Sequence, residues 1–423
     1  MPADVPADTF WVETLGCPKN QVDSDKLVGT MLADGLVPAR SAGDADLVVV
    51  NTCAFIEAAR EESVGTVLTL AAARRPGAKL VVTGCLAERY GDELAASLPE
   101  VDQVAAFGVP VTLGRARAVP SIDLLNLPRP PASAPWAYVK IAEGCDRACG
   151  FCAIPSFRGP QRSRTPEAIL QEVDALGARE IVLVAQDLAS YGRDVPGLGA
   201  RSLVPLLAAV AGRVTRVRLL YLYPSDLDDG LVDAIGATGV PYFDLSLQHV
   251  SRPLLRRMRR WGDGARFLTR MAGIRRRWPD AAFRSNFIVG YPGETEDDHD
   301  QLLAFVDEAQ LDWCGFFAYS REDGTYAAGL DGAVAAGLVA DRLAELGERQ
   351  DAITARHRQA LVGRTVEVLV DRPGVGRTHR EAPEMDGVVL VPRRLPVGEL
   401  ADVVVTAAIG PDVEARAVAT AGR

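Results

Sequence analysis

Between residues 9 and 115 the chain alternates short apolar runs with longer stretches of helical period. FWVETLGC is a strand that runs into Cys17, and VDSDKLVGTMLADG spaces its apolar residues as an amphipathic helix that Gly35 ends. DLVVVNTC is a buried strand ending at Cys53, EAAREESVGTVLTLAAARR a second helix, and AKLVVTGC a third strand ending at Cys85. Strands separated by helices pair in parallel, so this region predicts a parallel α/β domain over 9–118. The Pro-rich stretch that follows marks a linker at 119–135.

Six further strand-like runs recur between helical ones: WAYVKIAEGC, EIVLVAQD, RVRLLYLYP, YFDLSLQH, FRSNFIVGYPG and DWCGFFAYS. Six β/α units with polar residues at the strand ends predict an incomplete TIM-like (β/α)6 barrel. A long helical pattern from about 333 to 361 closes this domain, 136–361. The last stretch, 362–423, changes period: TVEVLVDR, GVVLV, ADVVVTAAI and EARAVA are short strands split by Gly/Pro turns, a small antiparallel β-barrel.

Composition narrows the class. With 423 residues, 48% hydrophobic, the chain has core enough for two or three domains. The N-terminus lacks an apolar signal core and no apolar run approaches ~20 residues, so a cytoplasmic protein is expected. Net charge is −10, which disfavours broad nucleic-acid binding and suits a basic protein partner. Seven cysteines in such a chain argue for metal or catalytic use rather than disulfides.

Three of them form the most specific pattern. Cys145, Cys149 and Cys152 lie in GCDRACGFC. Thiolates suit iron–sulfur clusters or zinc, but a structural zinc site wants four ligands and no fourth Cys or His is near in sequence. Three thiolates on a 4Fe-4S cluster leave one iron open to chelate S-adenosylmethionine, whose one-electron reductive cleavage gives a 5′-deoxyadenosyl radical. A zinc site completed from afar, or three buried thiols, are the alternatives.

Cys17, Cys53 and Cys85 each follow the C-terminal end of a strand, and in an open parallel sheet those ends share one edge. The three are therefore expected to converge, as ligands of a second cluster; the alternative is that free Cys is a common buried residue. Gly144 and Gly150 let backbone approach the first cluster, with Phe151 shielding it or merely packing. Gln186 and Asp187 end one barrel strand, Gln248 and His249 another, and Gly290 and Gly293 a third; Gln186, Asp187, Gln248 and Gly290 are the candidate cofactor contacts. The basic run 251–261 is either an anion-binding helix or a solvated face. Arg158, Arg162 and Arg164 are candidates for bidentate carboxylate binding. Cys314 reads as a buried thiol, and ETEDDHD as a helix start.

Taken together, TLGCPKNQVDSD, VVNTCAFIEAAREES, VTGCLAERY, KIAEGCDRACGFCAIPSFRGPQRSR, LVAQDLASYG, LSLQHVSRPLLRRMRR, FIVGYPGETE and EAPEMDG resemble the methylthiotransferases of the radical S-adenosylmethionine superfamily over nearly the full length. GCPKN and EAPEMDG resemble the branch acting on a ribosomal protein. The resemblance implies a C-terminal TRAM domain and two 4Fe-4S clusters: a radical cluster on Cys145, Cys149 and Cys152, the catalytic set, and an auxiliary one on Cys17, Cys53 and Cys85. It implies S-adenosyl-L-methionine as cofactor, and as substrate one aspartate of small-subunit ribosomal protein S-twelve, free or ribosome-bound, converted to 3-methylthioaspartate. A sulfur donor and a reductant such as flavodoxin or ferredoxin follow. The alternatives are methylthiolation of a tRNA adenosine, which a TRAM domain would serve but an acidic barrel (Glu381, Glu384, Asp386) would not, and a metal-binding module without catalysis.

Overall fold

The computed structural model describes residues 8–107, 111, 124–199 and 201–418. The N-terminal region contains β1 (Thr9–Thr14), α1 (Pro18–Ala33), β2 (Val37–Pro38), β3 (Leu47–Thr52), α2 (Glu57–Ala73), β4 (Lys79–Gly84), α3 (Cys85–Ser97) and β5 (Gln103–Ala105). They make a five-stranded parallel sheet in the order β2-β1-β3-β4-β5. β3 is buried along its whole length, as a parallel strand covered on both faces must be. The three expected strands are β1, β3 and β4. The edge strands β2 and β5 are too short to leave a periodic signal.

The central region comprises β6 (Trp136–Lys140), β7 (Ala142–Glu143), α4 (Ile154–Arg158), β8 (Arg162–Ser163), α5 (Pro166–Leu176), β9 (Glu180–Val184), α6 (Leu203–Ala211), β10 (Arg216–Leu219) and α7 (Asp229–Gly236). It continues with β11 (Tyr242–Gln248), α8 (Arg252–Arg257), α9 (Gly264–Arg277), β12 (Ala282–Val289), α10 (Glu296–Ala309), β13 (Trp313–Ala318) and α11 (Ala336–Gln359). The six expected runs are β6, β9, β10, β11, β12 and β13. They form two parallel three-stranded sheets, β6-β9-β10 and β11-β12-β13, joined through the single bridge Leu222–Leu245. The result is an open six-stranded barrel. ETEDDHD does start a helix: Thr295 and Asp298 close a capping box on α10.

The C-terminal strands β14 (Thr365–Arg372), β15 (Val375–Arg377), β16 (Val389–Leu390), β17 (Leu400–Ile409) and β18 (Asp412–Ala417) close into a barrel. All pairings are antiparallel except β16 with β18.

The loop between β15 and β16 forms the floor of the central barrel. The Tyr138 hydroxyl donates to the Pro383 carbonyl (2.9 Å), Trp313 Nε1 to that of Arg380 (2.6 Å), and the Tyr242 hydroxyl to the Asp386 carboxylate (2.6 Å). Arg218 reaches the His379 carbonyl at 3.0 Å, and Arg377 pairs with Glu180 at 3.0 Å. Ala382 and Met385 join an apolar cluster with Tyr138, Val182, Leu220 and Tyr242, inside the barrel. These contacts involve the N-terminal ends of the strands. The expectation that Glu381, Glu384 and Asp386 present an acidic face to a partner is therefore corrected. Glu381 is fully buried against Arg358, and Asp386 is buried beside Tyr242 and Arg284; of the three only Glu384 is exposed. A buried carboxylate needs a partner, and the barrel floor supplies one.

Of the linker, 119–123 lie outside the described residues. Its remainder is docked, with Arg129 held between Asp25 of α1 and Glu172 of α5. Among the described residues no helix is long and apolar enough to cross a membrane.

Candidate metal and cofactor site

Cys17, Cys53 and Cys85 follow β1, β3 and β4, three adjacent strands, and so meet at one sheet edge. Gly16 has φ +90°, and a Cβ there would lie 2.8 Å from Cys53 Cβ and 2.9 Å from its Sγ, so the turn before Cys17 needs glycine twice over. Asn20, in the first turn of α1, ties the edge together. Its Nδ2 donates to the carbonyls of Leu15 (2.9 Å) and Thr52 (3.0 Å), and its Oδ1 lies 3.7 Å from Cys85 Sγ. Burial pushes the Cys53 thiol up to about 11, and the neighbouring Cys17 and Cys85 push it further. Burial also raises Cys85, opposed by Arg158. At Cys17 burial is outweighed by Lys19, by backbone N–H groups and by Arg158, and the thiol falls below its ordinary value.

The second triad occupies the loop after β7. The Cys145 amide donates to the Gly159 carbonyl (3.0 Å) and the Gly150 amide to that of Met258 (2.8 Å). Gly144, at φ +77°, packs so closely that a Cβ would meet the Pro160 carbonyl oxygen at 2.0 Å. Burial, with a smaller contribution from Cys149 beside them, pushes Cys145 up to about 11 and Cys152 to about 12. Arg260 Nη1 donates to Cys149 Sγ at 3.4 Å.

α4 connects the triads. It starts two residues after Cys152 and ends at Arg158, whose guanidinium donates to Cys85 Sγ (2.9 Å) and Asn20 Oδ1 (2.8 Å). The same group pairs with Asp23 of α1 and Glu143 of β7, both at 3.1 Å, and lies over the Phe107 ring. Lys140 pairs with the same two carboxylates at 2.5 and 2.6 Å. Burial disfavours the Glu143 charge, but Arg158 and Lys140 overcome it and hold the carboxyl at about 2.

The other expected residues divide. Gln186 donates to Glu143 (2.5 Å), and its Oε1 is buried with no partner. Asp187 is held by Arg147 (2.6 and 3.2 Å) and Ser190 (2.6 Å), so its carboxylate clamps the triplet loop. Gln248 ends β11 with φ +72°. Gly290 follows β12, where a Cβ would meet Val339 of α11 at 2.5 Å; its space is taken by helix packing. His249 is fully buried and points into the fold: its Nδ1 accepts from the Ser251 amide at 3.1 Å. Phe151 packs on the main core, and Cys314 is half-buried there. Arg158 and Arg164 do bind carboxylates, but internal ones, Arg164 taking Glu172 at 2.7 Å. The basic run forms only the six-residue α8. Arg257 donates to the Asp331 carbonyl, Arg259 lies over Tyr326, and Arg260 reaches the triplet. Arg147, Arg260, Lys19 and Tyr223 were not legible as site residues.

The donor set fits clusters of iron and sulfide. The thiols, Cys53 and Cys85 buried and the other four half-buried, fall in two sets, and a cation (Arg158, Arg260) touches a sulfur in each, as an anionic thiolate-bound group requires. Among the described residues no three His, Cys, Asp or Glu are gathered tightly enough to grip a single metal ion. A four-iron cluster, with a thiolate at each of three corners, takes a wider triangle than the ~4 Å sulfur spacing around tetrahedral zinc.

Three family models match stretches of the chain. Residues 9–106 match the uncharacterized protein family UPF0004, 139–306 the radical SAM superfamily and 362–418 the TRAM domain. A protein of a Nocardioides species named ribosomal protein uS12 methylthiotransferase RimO is 42% identical, over 95% of this chain and 96% of that one. The chain belongs to the RimO family. RimO proteins of Moorella thermoacetica (43% identical, 90% of this chain and 92% of that one) and of an Anaeromyxobacter species (42%, 98% and 94%) are similarly related. Membership of the radical SAM superfamily implies a 4Fe-4S cluster and S-adenosylmethionine. Cys145, Cys149 and Cys152, within the matched region, are the residues whose spacing suits that cluster.

Proposed function

We propose that this RimO-family chain methylthiolates an aspartate side chain of small-subunit ribosomal protein S-twelve in the cytoplasm, giving 3-methylthioaspartate, and that it holds two 4Fe-4S clusters. The observation that carries the two-cluster part is the placement of the half-buried Cys17 and the buried Cys53 and Cys85 at one sheet edge, joined to the triplet loop through Arg158. The names of its relatives support the substrate.

When bound, the radical cluster and S-adenosylmethionine supply a radical able to take an unactivated Cβ hydrogen, and the auxiliary cluster supplies sulfur as methylthio group. The chain's own residues do the rest. Arg147 and Asp187 fix the triplet loop, while Arg158 and Arg260 place positive charge at one sulfur of each triad. The floor loop closes the far end of the barrel to water, leaving the cluster end for entry. Gln186, whose free Oε1 is buried, is the cofactor contact with hydrogen-bonding capacity to spare. A sulfur donor and a one-electron reductant such as flavodoxin or ferredoxin complete the reaction.

Mass spectrometry of S-twelve and of tRNA from cells lacking the gene tests the substrate. Loss of ~46 Da from S-twelve, the gain from replacing H by SCH3 in cofactor-driven chemistry, is expected; loss of it from tRNA alone refutes the reading. The reconstituted protein should carry about eight irons per chain, falling to about four when either thiol triad is replaced by alanine.

A further inference from the structure

We propose that Lys19 is the specificity residue that receives the substrate's carboxylate. The inference rests on the reading of the substrate as an aspartate side chain. Lys19 stands in the first turn of α1, two residues after Cys17. Its ammonium lies 3.7 Å from the centre of the Tyr221 ring, and among the described residues no carboxylate pairs with it. Asp244, the acid beside Tyr221, is already engaged by the Tyr221 amide (3.0 Å) and by Arg284 (3.3 Å). An ammonium has three donors, and an aromatic face satisfies its charge only in part.

Its position gives the free charge meaning. Tyr221 and Tyr223 flank Leu222, the residue after β10 that bridges to Leu245 of β11. Tyr223 carries Arg147 at 3.6 Å and Arg260 at 4.1 Å on its ring, and Arg260 donates to Cys149 Sγ. One three-residue stretch thus touches a cation of each thiol triad. The other cations there are committed: Arg147 to Asp187 and Asp226, Arg260 to the Ser246 carbonyl and to Cys149. Among the described residues Lys19 has no carboxylate partner; besides the Tyr221 ring its charge faces the Cys17 sulfur, and its ammonium has donors left for an incoming anion. In aspartate the carboxyl carbon is bonded directly to Cβ, so a carboxylate held by Lys19 fixes Cβ one bond away from the held group, on the Cys17 side of Tyr221. A nucleobase brings no carboxylate to this position, and an asparagine brings only a neutral amide.

The test uses the full-length reconstituted protein without reductant. The probes are an S-twelve peptide containing the aspartate and the same peptide with asparagine in its place. The wild type should bind the aspartate peptide about 10- to 100-fold more tightly, the range for a hydrogen bond to a charged group. Lys19→Met should bring the two peptides within about twofold while retaining the full iron content, since only the charge-assisted bond is removed. Lys19→Arg should keep most of the preference. A Lys19→Met protein that still prefers aspartate, or that loses the preference only together with iron, overturns the assignment. If the wild type binds neither peptide better than an unrelated sequence, the aspartate reading itself falls, and this inference with it.

Discussion

Replacing Arg158 by methionine should be among the most damaging single changes in this chain. The guanidinium has four partners between 2.8 and 3.1 Å: Asn20, Cys85, Asp23 and Glu143. Only 3% of its side chain is exposed, so water does not replace what is lost. Lys140 would then face two buried carboxylates alone, leaving one negative charge uncompensated. Removing one partner of a buried ion pair costs about 3–5 kcal/mol, which is roughly 150- to 5000-fold in a folding equilibrium. The assay is urea denaturation of the cluster-free protein followed by circular dichroism. Arg179→Met is the control, because the Arg179–Glu399 pair is 47% and 60% exposed and should change stability by less than about 0.5 kcal/mol. Arg158→Lys restores the charge but not the planar fork, and should fall between the two. An Arg158→Met midpoint indistinguishable from the control would refute the claim that this network joins the domains.

Three further outcomes follow from the geometry. Gly16→Ala forces a Cβ against Cys53 and should lower reconstituted iron from about eight to about four per chain, with deoxyadenosine still formed; unchanged iron would count against a cluster at that edge. Glu381→Ala leaves Arg358 unpaired in the barrel floor, and limited proteolysis should then cut between α11 and β14 where the wild type resists. For pH, burial holds His249 at about 4, below its ordinary 6.5, so the unfolded chain binds the extra proton first. Its contribution is complete above pH 6.5 and lost as pH falls towards 4. Acid melts of wild type should show this loss, and His249→Asn, which keeps an acceptor for the Ser251 amide, should flatten the curve in that window.

The longer strands, and the placement of Cys17, Cys53 and Cys85 at strand ends, were legible because each leaves a local mark: an apolar run, a turn glycine, a cysteine at the run's end. LVVTGC carries all three within six residues, and LVVVNTC carries the apolar run and the cysteine. What the sequence hid are charges that act across long separations. Arg158 and Asp23 are 135 residues apart and Tyr242 and Asp386 are 144 apart, and in isolation each charged group reads as solvent-facing. Lys19 was hidden differently: a charge without a carboxylate partner has no sequence signature, since only the fold shows which groups reach it. EAPEMDG suggested an acidic surface for the same reason, although Glu381 and Asp386 are inside.

The floor loop also sets a schedule for synthesis. Domains emerging from the ribosome tend to fold as units, N-terminal first. Here the last barrel strand is complete at Ala318, but the residues that close its interior, around 377–386, are made much later. Until they arrive, Arg218, Glu180 and Tyr242 lack the partners they have in the finished protein. The nascent central barrel therefore waits, open at its base, for nearly the whole chain, and a chain that stops after α11 would have every cysteine in place above a barrel without its floor.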